Sequence, residues 1–152
     1  MRFSPDPETF VQLAERYSVV PVAVEVLADR DTPVTVFEKL VGDEPGFLLE
    51  SVEGGENWAR WSFVGWDAAF TLRSHSGVSV TDDPAIEVGD GDPLSVLEAL
   101  LDRYRVPDLP GLPPLHSGVV GYLAYDTVRY IERLPDAPVD DRRLPEMLWQ
   151  FV

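Results

Sequence analysis

Gly46-Phe47-Leu48-Leu49-Glu50-Ser51-Val52-Glu53-Gly54-Gly55-Glu56-Asn57-Trp58-Ala59-Arg60-Trp61-Ser62-Phe63-Val64-Gly65-Trp66 is the stretch on which the fold turns. Two strand-forming runs, Gly46 to Val52 and Trp58 to Trp66, flank a turn at Gly54-Gly55-Glu56-Asn57. A turn this short returns the chain antiparallel, because parallel neighbours need a crossover of about a dozen residues or more. Along the first run the side chains alternate between two faces, so Leu49 and Ser51 share one and Leu48 and Glu50 the other.

Outward from that pair, Ala68 to Arg73, Val78 to Val80 and Ala85 to Val88 read as further short strands, with an acidic turn at Asp82-Asp83-Pro84. Asp92-Pro93 is the clearest helix start, a capping Asp followed by Pro in the first turn, and Leu94, Val96, Leu97, Leu100, Leu101 and Tyr104 form its apolar face. Ser4 to Tyr17 reads as a helix capped by Ser4 or Asp6, and Thr32-Pro33 opens a second that Gly42 ends. Val19 to Leu27 is Val-rich and reads as a strand. Gly118 to Ala124 and Met147 to Val152 read as two more, with a helical turn or two over Asp126 to Arg133. Val106 to Pro114, with four prolines, reads as an extended connector. The expected fold is α+β, a mostly antiparallel β-sheet with flanking helices, in one domain over residues 1–152. Met147 to Val152 is apolar with no polar tail, so we expect a chain cut from a longer protein with an unpaired strand edge left behind.

Of the 152 residues, 45% are hydrophobic and 26% charged, a globular composition. No apolar run reaches the roughly 18 residues of a membrane helix, and Met1-Arg2-Phe3-Ser4-Pro5 turns polar too soon for a secretory leader. Cysteine is absent, which excludes disulfides, thiolate metal sites and a Cys nucleophile. These features fit a cytoplasmic protein that does not engage a membrane. Twenty-seven acidic residues against 12 Lys and Arg give a net charge of -15, a field that repels a nucleic-acid backbone. Every basic residue but Lys39 and the two histidines is arginine, a bias of genome composition or of a salty cytoplasm.

Several motifs invite a chemical reading and fail it. Gly118-Val119-Val120-Gly121 lacks the spacing of a phosphate loop, and its glycines are expected to let a strand lie close to a neighbouring backbone. Asp126 and Arg129 sit three apart, suited to pairing across one helical turn, with Asp126 placed as a cap. His75 and His116 lack a metal-ligand pattern and read as turn residues. Ser51, Ser62 and Ser117 lack a nucleophile elbow. No catalytic and no metal-binding residue is assigned.

Three segments, Phe47-Leu48-Leu49-Glu50-Ser51-Val52-Glu53, Arg60-Trp61-Ser62-Phe63-Val64-Gly65, and Gly118 to Glu132 followed by Leu134-Pro135, resemble in order and spacing the amino-terminal region of anthranilate synthase component I. The aminodeoxychorismate synthase component shares much of this pattern, and a free-standing amino-acid-binding module is the remaining alternative. The resemblance implies that the Leu-Leu-Glu-Ser element, here Leu48 to Ser51 with Leu49, Glu50 and Ser51, lines a feedback site for L-tryptophan. Read from the residues alone, Leu48 and Leu49 equally suit a core and Ser51 the start of a turn. Antiparallel pairing would bring Arg60 or Trp61 near Ser51, Arg60 to hold a carboxylate and Trp61 to pack on the pocket; an exposed Arg60 with a core Trp61 is the competing reading. The resemblance further implies a lyase making anthranilate and pyruvate from chorismate in tryptophan biosynthesis. Its catalytic half and its Mg2+ would lie outside this chain, which would be inactive alone and hold no cofactor. A glutamine amidotransferase component II would be the ammonia-supplying partner.

Overall fold

The structure, a computed structural model, describes residues 2–50 and 61–152. The chain divides into two compact units, one of residues 1–68, 105–117 and 152, the other of residues 69–104 and 118–151.

In the first unit, β1 (Phe3–Ser4) pairs antiparallel with β2 (Ala23–Val24) around helix α1 (Pro7–Ala14). The helix cap is Asp6, whose carboxylate accepts from the Glu8 and Thr9 N–H groups at 3.0 Å, so the helix begins after the expected Ser4 and stops short of Tyr17. The expected strand over Val19 to Leu27 shrinks to two residues: Val22, Val26 and Leu27 are exposed, and no strand among the described residues pairs with them. Beta propensity without a neighbouring edge does not make a strand. Helix α2 (Pro33–Leu40) starts at a capping box in which Thr32 and Thr35 each bond the other's backbone N–H, and it ends where Gly42 takes a left-handed φ of 57°. Lys39 pairs with Asp31. Strands β3 (Gly46–Glu50) and β4 (Ser62–Trp66) form the antiparallel pair that their sequence predicts, with Leu49 opposite Phe63 and Glu50 opposite Ser62.

The second unit is a four-stranded antiparallel sheet and one helix. Strands β5 (Phe70–His75) and β6 (Val78–Thr81) form a hairpin; β7 (Val119–Leu123) and β8 (Met147–Phe151) complete the order β6-β5-β8-β7. Helix α3 (Pro93–Leu101) begins at Asp92 as predicted and turns Val96 and Leu100, one turn apart, toward the sheet. They meet Phe70, Leu72, Met147 and Phe151 in a single buried cluster, where the Phe70 and Phe151 rings stack 4.2 Å apart. Ala85 to Val88 is not the expected strand. Ile86 N–H bonds back to the Asp83 carbonyl in a turn, and Ile86 and Val88 pack on the cluster from there. The expected unpaired edge at the last apolar run is also corrected: β8 is interior, hydrogen-bonded to β5 on one side and β7 on the other.

Candidate functional site

The segment singled out by sequence lies on β3 and β4. Phe47 and Leu49 occupy one face of β3 and face Gly65 and Phe63 of β4. Gly65 leaves room there for the Phe47 ring, which a Cβ at that position would approach to 2.2 Å. Trp61 extends the same face: its ring stacks on Phe63 with centroids 6.5 Å apart and an interplanar angle of 23°. Phe47, Leu49, Phe63 and Trp61 thus form an aromatic and aliphatic platform. It is half open, with Leu49 42% and Trp61 40% exposed. An exposed planar platform of this kind can receive another planar ring, with stacking worth about 0.5–1.5 kcal/mol beyond the area covered.

Glu50 is exposed and points to the opposite face, shared with Leu48 and, across the pair, Ser62 and Val64. Gly46, on that face too, abuts Val41, the buried residue that closes α2. The structure therefore brings Leu49 and Trp61 together and sets Glu50 on the other side at the strand end. Ser51 and Arg60 lie outside the described residues, as does the turn at Gly54 to Asn57. Phe47 and Phe63 were not singled out as site residues; the signal that finds them is the period-two alternation already used for Leu49.

The remaining candidates resolve as structural devices. Gly121 lets β7 lie against β8, since a Cβ there would sit 1.9 Å from the Leu148 carbonyl oxygen. Arg129 Nε donates to Asp126 Oδ1 at 2.7 Å inside a 3-10 helix (Tyr125–Tyr130); the cap position is Ala124, so Asp126 sits in the first turn and is not the cap. His75 Nδ1 lies 3.2 Å from the Leu144 carbonyl and His116 Nδ1 2.8 Å from that of Pro113. A carbonyl only accepts, so Nδ1 is the donor in both contacts. Glu146, which sequence reading passed over, is a hub: its carboxylate accepts from the Tyr130 hydroxyl at 2.7 Å and the Gly77 N–H at 3.2 Å, while its carbonyl accepts from the Ala124 N–H and Thr127 hydroxyl. Among the described residues no group of three or more His, Cys, Asp or Glu side chains is placed to hold a metal, and no helix is long and apolar enough to cross a membrane.

No protein-family model matches the chain. Curated relatives do. Anthranilate synthase component 1 of Mycolicibacterium smegmatis is 48% identical over 144 residues, covering 93% of this chain and 28% of the relative. The protein of the same name from Mycobacterium tuberculosis is 47% identical over 147 residues, again 93% and 28%. That of Acetivibrio thermocellus is 36% identical over 153 residues, covering 99% of this chain and 31% of the relative. This chain therefore spans less than a third of the length of the relatives it matches. Identity at this level over nearly every element described above is common descent, and the chain belongs with the amino-terminal region of anthranilate synthase component 1.

Proposed function

We propose that this chain is the regulatory and scaffolding part of an anthranilate synthase component I, and that its β3–β4 platform senses L-tryptophan. In this reading Leu49, Trp61 and Phe63 receive the indole, and Ser51, Arg60 and, from the opposite face around the strand end, Glu50 meet the ligand's ammonium and carboxylate. The observation that carries it is the half-open aromatic face on the Leu48-Leu49-Glu50 strand of a chain homologous to anthranilate synthase component 1. An amino acid needs both parts: an apolar surface for the ring, and charged or hydroxyl groups at the strand end for the head group.

The whole protein would convert chorismate, with ammonia from a glutamine amidotransferase component II, to anthranilate and pyruvate in the cytoplasm. Chorismate conversion and Mg2+ would belong to the part of the relatives' length that this chain does not span, so the chain alone has no lyase activity. All of the relatives compared bear the name of the anthranilate branch, which favours it over the aminodeoxychorismate branch.

The test is tryptophan inhibition of the full-length enzyme carrying Ser51→Ala. Loss of one hydrogen bond to a charged head group costs about 1.5–3 kcal/mol, or roughly tenfold to a hundredfold in the inhibition constant. Trp61→Ala, which removes one of the platform's three aromatic rings, should weaken inhibition too. Constants unchanged in both variants would refute the reading.

A further inference from the structure

The four-stranded sheet has a second face. Phe70, Leu72 and Ser74 turn toward α3, so the alternate residues Thr71, Arg73 and His75 turn away from it. On that open face Arg73 lies opposite Val80 of β6 and Leu148 of β8, and His75 lies opposite Val78. A cavity of about 340 Å³ opens here, lined by Arg73, His75, Val78, Val80, Arg143 and Pro145 among others. Val78 and Val80 are 64% and 55% exposed, an unusual state for paired valines.

The loop before β8 carries Arg143 to this cavity and is fastened there. The Asp140 carboxylate accepts the Arg143 N–H at 2.8 Å, and its other oxygen lies 3.7 Å from His75 Nε2. His75 Nδ1 donates to the Leu144 carbonyl, and Glu146 N–H donates to the Ser74 carbonyl at 2.7 Å. Arg143 itself adopts a left-handed φ of 51°, a conformation that costs a non-glycine residue free energy and that the surrounding bonds hold in place. Among the described residues neither the Arg73 nor the Arg143 guanidinium makes a hydrogen bond or ion pair, unlike those of Arg129 and Arg103. The Asp82 carboxylate accepts the Thr71 N–H at 2.7 Å, a bond that, with help from the Arg73 charge, holds it below its ordinary pKa, and that of Asp140 accepts the Arg143 N–H.

In a chain of net charge -15, two guanidiniums that line one apolar-walled cavity, neither with a hydrogen bond or ion pair among the described residues, form an unusual arrangement. A guanidinium presents a planar fork that matches a carboxylate. Valine and proline walls match hydrocarbon, and the volume is at the small end of ligand sites. We propose that this cavity binds a small monocarboxylate with a compact apolar or aromatic body. Arg73 and Arg143 take the carboxylate, and Val78, Val80 and Pro145 cover the hydrocarbon. The site belongs to the unit of residues 69–104 and 118–151, and it does not depend on the tryptophan reading, whose residues belong to the other unit.

Benzoate titrated into the isotope-labelled chain and followed by proton–nitrogen NMR tests this. Saturable shifts are expected at the Nε–H signals of Arg73 and Arg143 and at the Val78 and Val80 amides. Acetate, which lacks the apolar body, and benzyl alcohol, which lacks the charge, should each bind about tenfold more weakly or worse. Arg73→Gln and Arg143→Gln should each weaken benzoate by about tenfold, with Arg103→Gln unchanged. Benzyl alcohol or acetate binding as well as benzoate, shifts centred elsewhere, or no saturation would overturn the proposal. The ligand comparison on the unaltered chain keeps the test decisive even where an arginine variant loses its fold.

Discussion

In the core between the four-stranded sheet and α3, Leu72, Leu100 and Met147 have no exposed surface, whereas Leu49 and Trp61 on the β3–β4 pair keep 42% and 40% of theirs. Among the described residues of the first unit only Val41 and Pro107 are buried, against nine in the second. One region has the closed core that sets stability; the other has an apolar surface available for contact. Binding surfaces come from the less buried parts of a fold for a physical reason: a side chain already covered by its own chain has no surface left to give a ligand.

Paired substitutions sharpen that contrast. The largest effect belongs to Gly121→Ala. Its Cβ meets the Leu148 carbonyl oxygen, carbon and the Trp149 Cα at 1.9, 2.8 and 2.9 Å, all backbone of an interior strand that cannot move without breaking the ladder. A loss of about 3 kcal/mol or more is expected by urea unfolding. The three nearest atoms that Gly65→Ala meets all belong to the Phe47 ring, a side chain that can swing aside, so about 1 kcal/mol is expected there. Equal costs at the two glycines would show that the β3–β4 pair is packed as rigidly as the sheet.

Next in size is Leu100→Ala, which empties a fully buried position of the cluster around Phe70 and Phe151 and should cost about 2–5 kcal/mol. Leu49→Ala should cost less than about 1 kcal/mol, because much of the side chain is already in water. Thermal unfolding of the two variants decides it. A Leu49 variant as damaged as the Leu100 variant would mean the platform is covered in solution and is not a free surface.

What could be read from sequence follows the range of the interactions. Asp92-Pro93, Thr32-Pro33 and the β3–β4 pairing are local, set by caps, a turn and alternation, and all three stand in the structure. The Val19 to Leu27 strand and the Ala85 to Val88 strand failed because the residues are strand-formers but their partners lie elsewhere or are absent among the described residues. The order β6-β5-β8-β7 inserts a strand next to β5 from more than 70 positions away, which no local pattern reports. The same distance hides the cavity that joins Arg73 to Arg143. At the candidate tryptophan site, alternation correctly set Leu49 apart from Glu50, while Ser51 and Arg60 lie outside the described residues.

The helix caps of the two units offer a smaller and pH-dependent contrast. Asp92 caps α3 with its carboxylate: the Ser95 hydroxyl donates to it at 2.6 Å and backbone N–H groups bond it as well, and these bonds hold its pKa below the usual 3.8. A depressed carboxylate stabilises the fold above its ordinary pKa, and the contribution disappears as pH falls from there through the lowered value. Thr32 caps α2 with a hydroxyl that does not titrate. Thr32→Ala should therefore cost about 1 kcal/mol at neutral and at acid pH alike. Asp92→Ala should destabilise at pH 7 and lose that penalty as pH falls below 3.8 through the parent's lowered value, where its own carboxyl becomes protonated. Unfolding of both variants across that range measures the difference; a pH-independent Asp92 penalty would mean the charged cap is not formed.

The smallest effect concerns the Glu146 hub and runs in the opposite direction of pH. Burial, and then the hydrogen bond to the Glu146 carboxylate, push the Tyr130 hydroxyl up from 10.0 to about 12. A raised pKa means the fold favours the neutral phenol. Its contribution is complete below the ordinary value near 10 and is lost as pH rises from there through about 12. Tyr130→Phe removes the donor and leaves Glu146 with the Gly77 N–H, which should cost about 1 kcal/mol at neutral pH. The variant should also lose stability less steeply than the parent between pH 10 and 12, because the group that titrates there is gone. Tyrosinate absorbance gives an independent reading: the signal missing from the Tyr130→Phe difference spectrum should titrate at about 12. If the missing signal instead titrates near 10.0, the bond from Tyr130 to Glu146 is not made in solution. The 3-10 helix would then be tied to β8 only through the backbone of Glu146, by the Thr127 hydroxyl at 3.0 Å and the Ala124 N–H at 2.7 Å.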